Sequence, residues 1–241
     1  MLILNFVLLI LIVVLLYLVI VSLFFKKTIK ATFERDPAAT NFLEVLLTYS
    51  GLHALILYRI SHRLHKMKIP FFPRFISQSA KFFTGVEIHP GAEIGEGFFI
   101  DHGMGVVIGE TSVIGDNVTV FQGVTFGGTG KERGKRHPTV GNNVVVGTGA
   151  KILGNVTVGD NVQIGANAVV LRDVPPNSTV VGVPGRIARR EGRKIPGINL
   201  DHSSLPDPLA ERLNRLQNEI DHIEGEIKEY HRKKRDRDEN L

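Results

Sequence analysis

The 241-residue sequence predicts an α+β fold: a parallel β-helix of six-residue repeats, preceded by a transmembrane helix and a short helical region, and followed by a coiled-coil helix. Three observations predict this fold. The first 25 residues contain no charged side chain, aliphatic residues recur every six positions through the middle of the chain, and a heptad pattern marks its C-terminal part. A hydrophobic content of 43% with 22% charged residues is ordinary for a folded protein, which excludes disorder throughout.

The first element, residues 1–25, is predicted to be a membrane anchor. A helix of this length rises roughly 37 Å, enough to cross a hydrocarbon core of about 30 Å. A cleaved signal peptide is the alternative, but no basic segment precedes the apolar stretch and Phe24-Phe25-Lys26-Lys27 offers no small-residue cleavage site. Lys26, Lys27 and Lys30 follow the span, so the positive-inside rule predicts a single-pass protein whose remaining residues face the cytoplasm.

The region that follows is strongly basic. Between Lys26 and Lys81 ten Lys or Arg residues stand against three acidic residues, which gives this segment +7 in a chain whose net charge is +5. Such a segment suits contact with anionic lipid headgroups. No nucleic-acid partner is expected, because the sequence has neither an aromatic-interleaved basic patch nor a known nucleic-acid-binding motif.

Composition also excludes several kinds of site. The chain contains no cysteine, so it has no disulfide, thiolate zinc site, iron–sulfur cluster or cysteine nucleophile. His62 and His65 could share a helix face as metal ligands, but the basic residues around them favour a solvated face: Arg59, Arg63 and Lys66. No metal is therefore expected.

Residues 26–84 are predicted to be a short helical region. The pattern is helical from Ala38 to Phe83, with Pro37 at a helix start. Pro70 and Pro73 break the helical run after Met67.

Residues 85–185 are predicted to form the β-helix. Thirteen positions recur six apart in three phased blocks: Ile88, Ile94 and Ile100; Ile108, Ile114, Val120 and Phe126; Val140, Val146, Ile152, Val158, Ile164 and Val170. A period of six fits neither an amphipathic helix nor simple strand alternation. It fits short strands joined by tight turns, in which glycine follows the aliphatic residue and Asn or Asp supplies left-handed conformations. Three repeats make one coil of about 18 residues, so the aliphatic residues stack as internal ladders.

Two breaks in the repeat are the candidate functional segments. The step from Ile100 to Ile108 is eight residues and contains Asp101-His102-Gly103, and the step from Phe126 to Val140 is fourteen residues and contains the loop 127–139. Loops that project from a rigid scaffold often carry function. A histidine beside a carboxylate, with Arg136 and His137 in the second loop, would suit a general base and an anion-binding pocket.

Three common motifs are absent. Gly128-Thr129-Gly130-Lys131 lacks the first glycine and the final Ser or Thr of a phosphate loop. Gly103-Met104-Gly105 lacks the third glycine of a dinucleotide fingerprint, because Ile108 stands there. No nucleophile elbow of the form G-x-S-x-G occurs.

The C-terminal part is predicted to be a linker, residues 186–208, and a coiled coil, residues 209–235. The seam alternates steps of four and three: Leu209, Leu213, Leu216, Ile220, Ile223, Ile227 and Tyr230. Isoleucine at both a and d positions favours more than two strands, and the family resemblance described below implies a homotrimer. An amphipathic helix packed on its own domain is the alternative.

From about Arg35 to Arg190 the sequence resembles the serine O-acetyltransferases, a family of hexapeptide-repeat acyltransferases. The motifs that carry the resemblance are Arg35-Asp36-Pro37-Ala38, His53-Ala54, Tyr58-Arg59-Ile60, Ile88-His89-Pro90, Asp101-His102, Gly109-Glu110-Thr111, Gly127-Gly128-Thr129-Gly130-Lys131, Arg136-His137-Pro138, the run from Gly149 to Gly154, and Gly182-Val183-Pro184. The resemblance implies a left-handed β-helix and transfer of acetyl from acetyl-CoA to the hydroxyl of L-serine, giving O-acetyl-L-serine for cysteine biosynthesis.

The resemblance also implies catalytic roles. His102 matches the general base that takes the proton of the serine hydroxyl, a role that suits an imidazole at neutral pH. In the family an Asp fifteen residues upstream orients this ring, and the matching residue here is Glu87, which is longer by one methylene. With no cysteine and no activated serine, direct attack in a ternary complex is expected rather than an acyl-enzyme.

The substrate-binding residues follow in the same way. Asp36 and Asp101 match the carboxylates that receive the serine ammonium group, while Arg136 and His137 match the groups that bind its carboxylate. Each of these residues also has a purely structural explanation. Asp36 before Pro37 could cap a helix, Asp101 could turn the coil, and His137 could shape its loop.

For the cosubstrate acetyl-CoA, the resemblance implies a groove between β-helices whose contacts include Gly128, Gly130, Gly147, Ala150, Lys151 and Arg186. Glycines inside the coils are also needed for turns. The developing oxyanion requires a donor that the sequence does not specify.

Two departures from the family pattern bear on assembly. Many members have a longer N-terminal helical domain that joins two trimers, and here the membrane span replaces much of it, so we expect a trimer rather than a hexamer. Members that bind O-acetylserine sulfhydrylase use a flexible C-terminus that often ends in Ile. This chain ends in Asp238-Glu239-Asn240-Leu241 after a coiled coil, so that partnership stays open.

Two other functions remain as alternatives at this stage. A membrane location would suit an O-acetyltransferase that acts on a sugar or polysaccharide hydroxyl, but a sugar lacks the ammonium and carboxylate groups that Asp36 and Arg136-His137 would bind. The chain could also be a non-catalytic trimeric scaffold at the membrane. Such a scaffold would have no need for Asp101-His102 or the long loop.

Overall fold

The computed structural model describes residues 2–130, 133–190, 213 and 215–228. Five helices precede the strands: α1 (Leu2–Phe24), α2 (Lys26–Arg35), α3 (Phe42–Thr48), α4 (Ser50–Lys66) and α5 (Phe72–Thr84). The chain divides into two compact units, residues 1–205 and residues 206–241, which are described separately.

Within the described residues fifteen strands follow α5, most of them two residues long: β1 (Glu87–Ile88), β2 (Glu93–Ile94), β3 (Phe99–Ile100), β4 (Val107–Ile108), β5 (Val113–Ile114), β6 (Thr119–Val120), β7 (Thr125–Gly127), β8 (Thr139–Val140), β9 (Val145–Val146), β10 (Lys151–Leu153), β11 (Thr157–Val158), β12 (Gln163–Ile164), β13 (Val169–Val170), β14 (Ser178–Val181) and β15 (Arg186–Arg190). They form three sheets, in the orders β1-β4-β7-β10-β13, β11-β8-β5-β2 and β15-β14-β12-β9-β6-β3. We call these the first, second and third faces. From β1 to β13 successive strands visit the three faces in turn, which is the path of a parallel β-helix.

The predicted ladders form the core. All thirteen positions of the six-residue repeat are buried, with exposed fractions of 6% or less. Parallel pairing keeps them in register from coil to coil, as in Ile88 with Ile108 and Ile108 with Phe126. The pairing of β5 with β8 continues across the long loop, so the loop leaves the coil without changing its register. The prediction from the period is confirmed.

Two kinds of residue make the corners. Five asparagines adopt φ near 56°, as predicted, at Asn117, Asn143, Asn161, Asn167 and Asn177. The glycines that follow the aliphatic positions have a different cause. A Cβ on Gly115 would lie 2.8 Å from the backbone of Gly141 in the next coil, so these glycines permit close approach of the coils.

α1 is long and apolar enough to cross a membrane. Leu4–Phe24 has a mean hydropathy of 3.4, and no other single helix among the described residues passes this test, although α3 and α4 do so as a pair bent by 60°. Only the end of α1 packs on the rest of the unit. Val21 is buried with Leu46 and Leu52, and Tyr17 lies against the same cluster.

One helix boundary differs from the prediction. Pro37 does not begin a helix; it follows Asp36, which ends α2 in an extended conformation (φ −109°, ψ 107°). A residue before proline disfavours the helical region, which explains the end of α2. Arg35 is buried and donates to Gly97 O at 3.1 Å, so α2 ends against the β-helix. Asn41 caps α3 instead.

The predicted linker also differs, because its first five residues form β15. This strand pairs antiparallel with β14 and closes the third face. The rest of the linker lies outside the described residues. In the second unit, residues 215–228 form α6, and the described seam residues are exposed by about half: Leu213, Leu216, Ile220, Ile223 and Ile227. Leu209 and Tyr230 lie outside the described residues.

Candidate active site

The first break in the repeat forms a corner between the third and first faces, which we call the His102 corner (Asp101, His102 and Gly103). The eight-residue step after β3 lets the chain turn outward before β4 begins. His102 adopts the left-handed conformation, with φ 57°, which non-glycine residues rarely adopt. Its side chain is 73% exposed, and its carbonyl accepts a hydrogen bond from Ser50 Oγ at 3.2 Å. The backbone therefore presents this imidazole outward from a fixed corner.

A carboxylate stands beside the imidazole. His102 Nε2 lies 3.9 Å from Asp101 Oδ1, and the Asp101 side chain is 21% exposed. Burial is the main cause that raises the pKa of Asp101; His102 opposes this rise and Asp36 adds to it. Burial of this carboxylate disfavours its ionised form. Such a group next to an exposed imidazole is more typical of a functional site than of a simple turn.

Asp36 supplies a second carboxylate to the same corner. Asp36 is bonded to Tyr49, whose neighbour Ser50 contacts the His102 carbonyl, and the charge of Asp36 adds to the raised pKa of Asp101. Tyr49 Oη donates to Asp36 Oδ2 at 2.6 Å, and Ala38 N donates to Asp36 Oδ1 at 2.8 Å. Burial, followed by the hydrogen bond to Asp36, raises the pKa of Tyr49, so its phenol stays protonated and donates. Asp36 is thus held in place by two donors.

Glu87 is not paired with His102. Lys81 Nζ lies 2.6 Å from Glu87 Oε2, and this hydrogen bond is the main cause that lowers the pKa of Glu87. Among the described residues no hydrogen bond or ion pair joins Glu87 to His102. The predicted orientation of the ring by Glu87 is therefore absent here, because α5 places Lys81 within reach of the longer side chain. Asp101 is the carboxylate within ion-pair distance of the ring.

The second break forms a corner between the first and second faces, which we call the Arg136 corner (Glu110, Thr111, Arg136 and His137). Thr111 Oγ1 accepts hydrogen bonds from the backbone nitrogens of Arg136 and His137, both at 3.1 Å. Lys135 Nζ donates to the Thr111 carbonyl at 2.6 Å. One threonine thereby ties the end of the long loop to the coil that precedes it.

The same threonine fixes the tautomer of His137. Thr111 N donates to His137 Nδ1 at 3.2 Å, and Thr111 Oγ1 lies 2.9 Å from the same atom. A backbone N–H can only donate, so Nδ1 is the acceptor and the proton of the neutral ring is on Nε2. Burial, followed by the charge of Arg136, lowers the pKa of His137. His137 is therefore a neutral donor through Nε2.

Arg136 is held beside this ring by Glu110. The Arg136 guanidinium forms a close ion pair with Glu110 Oε2, which is the main cause that lowers the pKa of Glu110. His89 lies near this pair, and burial, followed by Arg74, lowers its pKa to about 4, so it is neutral as well. The corner combines neutral imidazoles with one guanidinium that is paired with Glu110, and a guanidinium has further N–H donors with which to bind a second carboxylate.

The two corners lie at opposite edges of the first face. His102 precedes β4, whereas Glu110 follows it, and Arg136 and His137 lie in the loop between the first and second faces. Among the described residues no hydrogen bond or ion pair joins the two corners. One side of a coil spans up to about 20 Å at roughly 3.3 Å per residue, whereas an amino acid carries its ammonium and carboxylate on one carbon. The two corners of one chain are therefore separate groups of side chains, one with carboxylates beside an imidazole and one with a guanidinium.

Three of the residues predicted to bind acetyl-CoA serve the coil itself. Ala150 is fully buried; its N–H donates to Gly147 O at 3.2 Å, and its carbonyl accepts from Thr125 N at 3.0 Å. Gly147 N donates to Ile164 O at 2.8 Å. Lys151 Nζ donates to Gly149 O at 2.9 Å. These groups are occupied by internal hydrogen bonds, so the geometry gives no support to cofactor contacts through them.

The other three predicted residues are accessible. Gly128 and Gly130 are exposed on the long loop, and Gly130 has φ 77°. Arg186 is exposed at the start of β15. Their contacts with a cofactor stay predictions. Among the described residues no group of three His, Asp or Glu side chains is placed to hold a metal ion.

Sequence reasoning missed three residues that position the site: Tyr49, Glu110 and Thr111. For Glu110 and Thr111 a signal was present, because the motif Gly109-Glu110-Thr111 follows a predicted strand. Tyr49 gave no signal, since its partner Asp36 lies thirteen residues away across a turn that the hydrophobic pattern does not define.

Comparison with known proteins gives a consistent result. The family model described as bacterial transferase hexapeptide (six repeats) matches residues 137–172. The serine acetyltransferase of Bacillus pumilus is 56% identical over 208 residues, which cover 86% of this chain and 95% of that protein. The serine acetyltransferase of Bacillus subtilis is 57% identical over 204 residues, which cover 85% of this chain and 94% of that protein.

Solved structures agree with these relatives. Serine acetyltransferase of Neisseria gonorrhoeae in complex with serine aligns with a TM-score of 0.67 at 43% identity, covering 70% of this chain and 69% of that one. A serine acetyltransferase in complex with cysteine aligns with a TM-score of 0.72 at 43% identity, covering 74% and 70% respectively. The similarity therefore extends over the helical region and the β-helix together.

Proposed function

The chain belongs to the serine acetyltransferase family, and from this membership we propose that it transfers the acetyl group of acetyl-CoA to the hydroxyl of L-serine, giving O-acetyl-L-serine and CoA. The observation that carries the proposal is the opposite character of the two corners. Asp36 and Asp101 stand beside an exposed imidazole at one corner, and Arg136 stands beside a neutral imidazole donor at the other. A zwitterionic acceptor with a reactive hydroxyl needs both.

His102 is the general base in this proposal. Its imidazole accepts the proton of the serine hydroxyl as the serine oxygen attacks the thioester carbonyl carbon of acetyl-CoA. The carbon–sulfur bond then breaks, the acetyl group stays on the serine oxygen, and the CoA sulfur receives the proton from His102. No covalent enzyme intermediate is needed. The exposed fraction of 73% leaves the ring accessible to both substrates.

The two poles of serine bind at different corners. Asp36 and Asp101 receive the ammonium group, while the Arg136 guanidinium and the Nε2 proton of His137 bind the carboxylate. Because these corners lie at opposite edges of one face, we propose that the site forms between two chains of a homotrimer, with one corner from each. The exposed seam of α6 supports three-stranded association, and the family supports a left-handed winding of the coils.

Acetyl-CoA binds in the same cleft between chains. Gly128 and Gly130 lie on the loop that carries Arg136, so they are accessible to the pantetheine arm, and Arg186 offers a cation for its phosphates. The thioester must reach His102, which places the acetyl group at the corner and the nucleotide farther along the coils.

α1 anchors the enzyme in the membrane with a single span. Its apolar length and the basic residues Lys26, Lys27 and Lys30 support a catalytic domain that faces the cytoplasm. Soluble substrates therefore reach the site from the cytoplasm.

The proposed reaction is tested with the purified full chain in mild detergent. CoA release from acetyl-CoA is followed with L-serine, then with other amino acids and a panel of sugars. Serine-dependent release, with O-acetylserine identified by mass spectrometry, is the expected result. CoA release with a sugar but not with serine would contradict the proposal. So would a folded oligomer that releases no CoA with any acceptor.

A further inference from the structure

A groove of about 1250 Å³ lies where α1 meets α4, away from both catalytic corners. One wall is the second half of α1, from Val13 to Phe24, and the other is the outer side of α4, from Ile56 to Met67. Residues 94–97 of the β-helix close one end. Nothing in the proposed acetyl transfer uses this groove.

The α1 wall is apolar and continues into the proposed membrane span. Leu16, Ile20 and Leu23 line the groove and are exposed by 44–71%, like the apolar residues of α1 that precede them. From Val13 to Phe24 this wall runs roughly 16 Å at 1.5 Å per residue, which is close to half of a hydrocarbon core of about 30 Å. Its length thus matches the acyl layer of one leaflet.

The rim of the groove is cationic. Five basic side chains line it, against the single carboxylate of Glu96: Lys26, Lys27, Arg59, Arg63 and Lys66. Three of these are already engaged, since Lys27 pairs with Glu96, Arg59 donates to Ile94 O at 2.8 Å, and Lys66 lies 3.2 Å from Glu93. The side chains of Lys26 and Arg63 have no hydrogen bond or ion pair with any residue that the structure describes.

We propose that this groove binds one anionic phospholipid of the cytoplasmic leaflet. The acyl chains lie along α1, and the phosphate lies between Lys26 and Arg63. This proposal rests on the membrane anchoring proposed above. A lipid is favoured over a protein partner because the apolar wall is continuous with the span, Lys26 follows the span directly, where a headgroup lies, and Arg63 lines the same groove.

The test measures lipid retention by the full chain. The protein is purified in mild detergent from vesicles of equal phosphatidylglycerol and phosphatidylcholine, and bound phospholipid is quantified by mass spectrometry. Wild type is expected to retain about one phosphatidylglycerol per chain in preference to phosphatidylcholine. The double variant Lys26→Gln/Arg63→Gln is expected to lose this preference by roughly tenfold or more, since each cation near the surface contributes to anionic lipid binding.

A matched control removes two cations of the same basic segment that do not line the groove. Lys30→Gln/Lys68→Gln should keep the preference, and excess glycerol phosphate should not displace the lipid. Equal losses in both double variants would overturn the proposal in favour of general charge attraction, and displacement by glycerol phosphate would point to a soluble ligand.

Resistance of each protein to carbonate extraction is measured in parallel. Extraction of wild type would contradict the anchor and the site together, whereas retention without lipid preference would contradict the site alone.

Discussion

At the scale of single residues, Thr111 does more than the sequence suggested, because it sets both the position and the tautomer of His137. Its hydroxyl accepts from two backbone nitrogens of the long loop, and its own N–H donates to the imidazole. The ring is packed against Gly109, where a Cβ would overlap the imidazole. His137 is predicted to bind the serine carboxylate. A substitution at Gly109 can therefore displace its ring without removing any functional group.

The first prediction follows from this contact. Gly109→Ala should push the His137 ring away from Thr111 and raise KM for serine roughly tenfold, because a donor to the substrate carboxylate is misplaced. The measurement is steady-state kinetics with serine varied at saturating acetyl-CoA. Gly134→Ala is the matched control in the same loop, since a Cβ there meets nothing within 4 Å, and it should leave KM unchanged. Equal effects of the two variants would contradict the role of His137.

The second prediction concerns the base. His102 has a left-handed backbone, which asparagine tolerates well, so His102→Asn removes the imidazole without straining the corner. Turnover should fall by roughly 10²–10⁴-fold with the melting temperature and oligomeric mass unchanged. His222→Asn, on the exposed α6, is the control and should retain full activity. Turnover within a few-fold of wild type in His102→Asn would exclude general-base catalysis by this residue.

The third prediction separates function from stability at Asp101. Burial raises the pKa of Asp101, so its ionised form costs stability at neutral pH, and this cost appears as pH rises through the raised pKa. Asp101→Asn should therefore raise the melting temperature at neutral pH, and the difference should vanish in acid, where Asp101 is protonated in both folded and unfolded states. Activity should fall roughly ten- to a hundred-fold through loss of an ammonium partner. Thermal melts from acidic to neutral pH check the stability part, and a lower melting temperature at neutral pH would contradict it.

These residues show how far sequence reasoning extends. The interruptions of a strict period singled out His102, Asp101 and the Arg136-His137 pair as candidates, whereas their roles come from the family resemblance and stay predictions. The pairing of Glu87 with Lys81 could not be foreseen, since it depends on the rotation of α5 relative to β1, and no pattern in the sequence reports that rotation. The tie from Tyr49 to Asp36 was missed for a similar reason.

At the scale of elements, the contact between α4 and β3 positions the acceptor half of the site. Gly51, in the first turn of α4, packs directly on Ile100, whose Cβ would lie 2.8 Å from a Cβ on Gly51. Tyr49 and Ser50 start the same helix and contact Asp36 and the His102 carbonyl respectively. The packing of α4 on β3 therefore brings together Asp36 and Asp101, two carboxylates that are distant in sequence.

The fourth prediction tests this coupling. Gly51→Ala should force α4 away from β3, which costs about 1–3 kcal/mol in unfolding free energy and lowers serine kcat/KM more than acetyl-CoA kcat/KM. Denaturant unfolding and substrate-varied kinetics measure the two effects, and Gly134→Ala again serves as the control. Unchanged stability together with unchanged kinetics would show that the helix does not position Asp36.

Helices and strands were predictable where the hydrophobic period was strict. They were less predictable where their start or end depends on contacts with distant residues. The thirteen ladder positions all point into the core of the coil, so the six-residue period alone identified them. The packing of α2 and the strand β15 depend on contacts with the β-helix, namely Arg35 with Gly97 and the pairing with β14. Local sequence carries no trace of such long-range partners.

In the whole molecule, we propose a trimer whose sites are shared between neighbouring chains. In the proposed arrangement the His102 corner and the Arg136 corner of one chain bind different serine molecules, since they flank opposite edges of the first face. Every chain would then contribute one corner to each of two sites. A substitution in one corner would inactivate one of these sites and leave the other corner of the same chain functional. This consequence distinguishes shared sites from sites that lie within one chain.

The most direct test mixes two inactive full-length variants, His102→Asn and Arg136→Gln/His137→Gln, by co-expression in equal amounts. If sites lie between chains of a trimer, random assembly leaves one intact site in each mixed trimer, and serine-dependent CoA release should return to about a quarter of the wild-type value. Each variant expressed alone stays near background and serves as the control. Background activity in mixed trimers, verified as mixed by differential tags, would contradict a serine site formed by two corners of neighbouring chains.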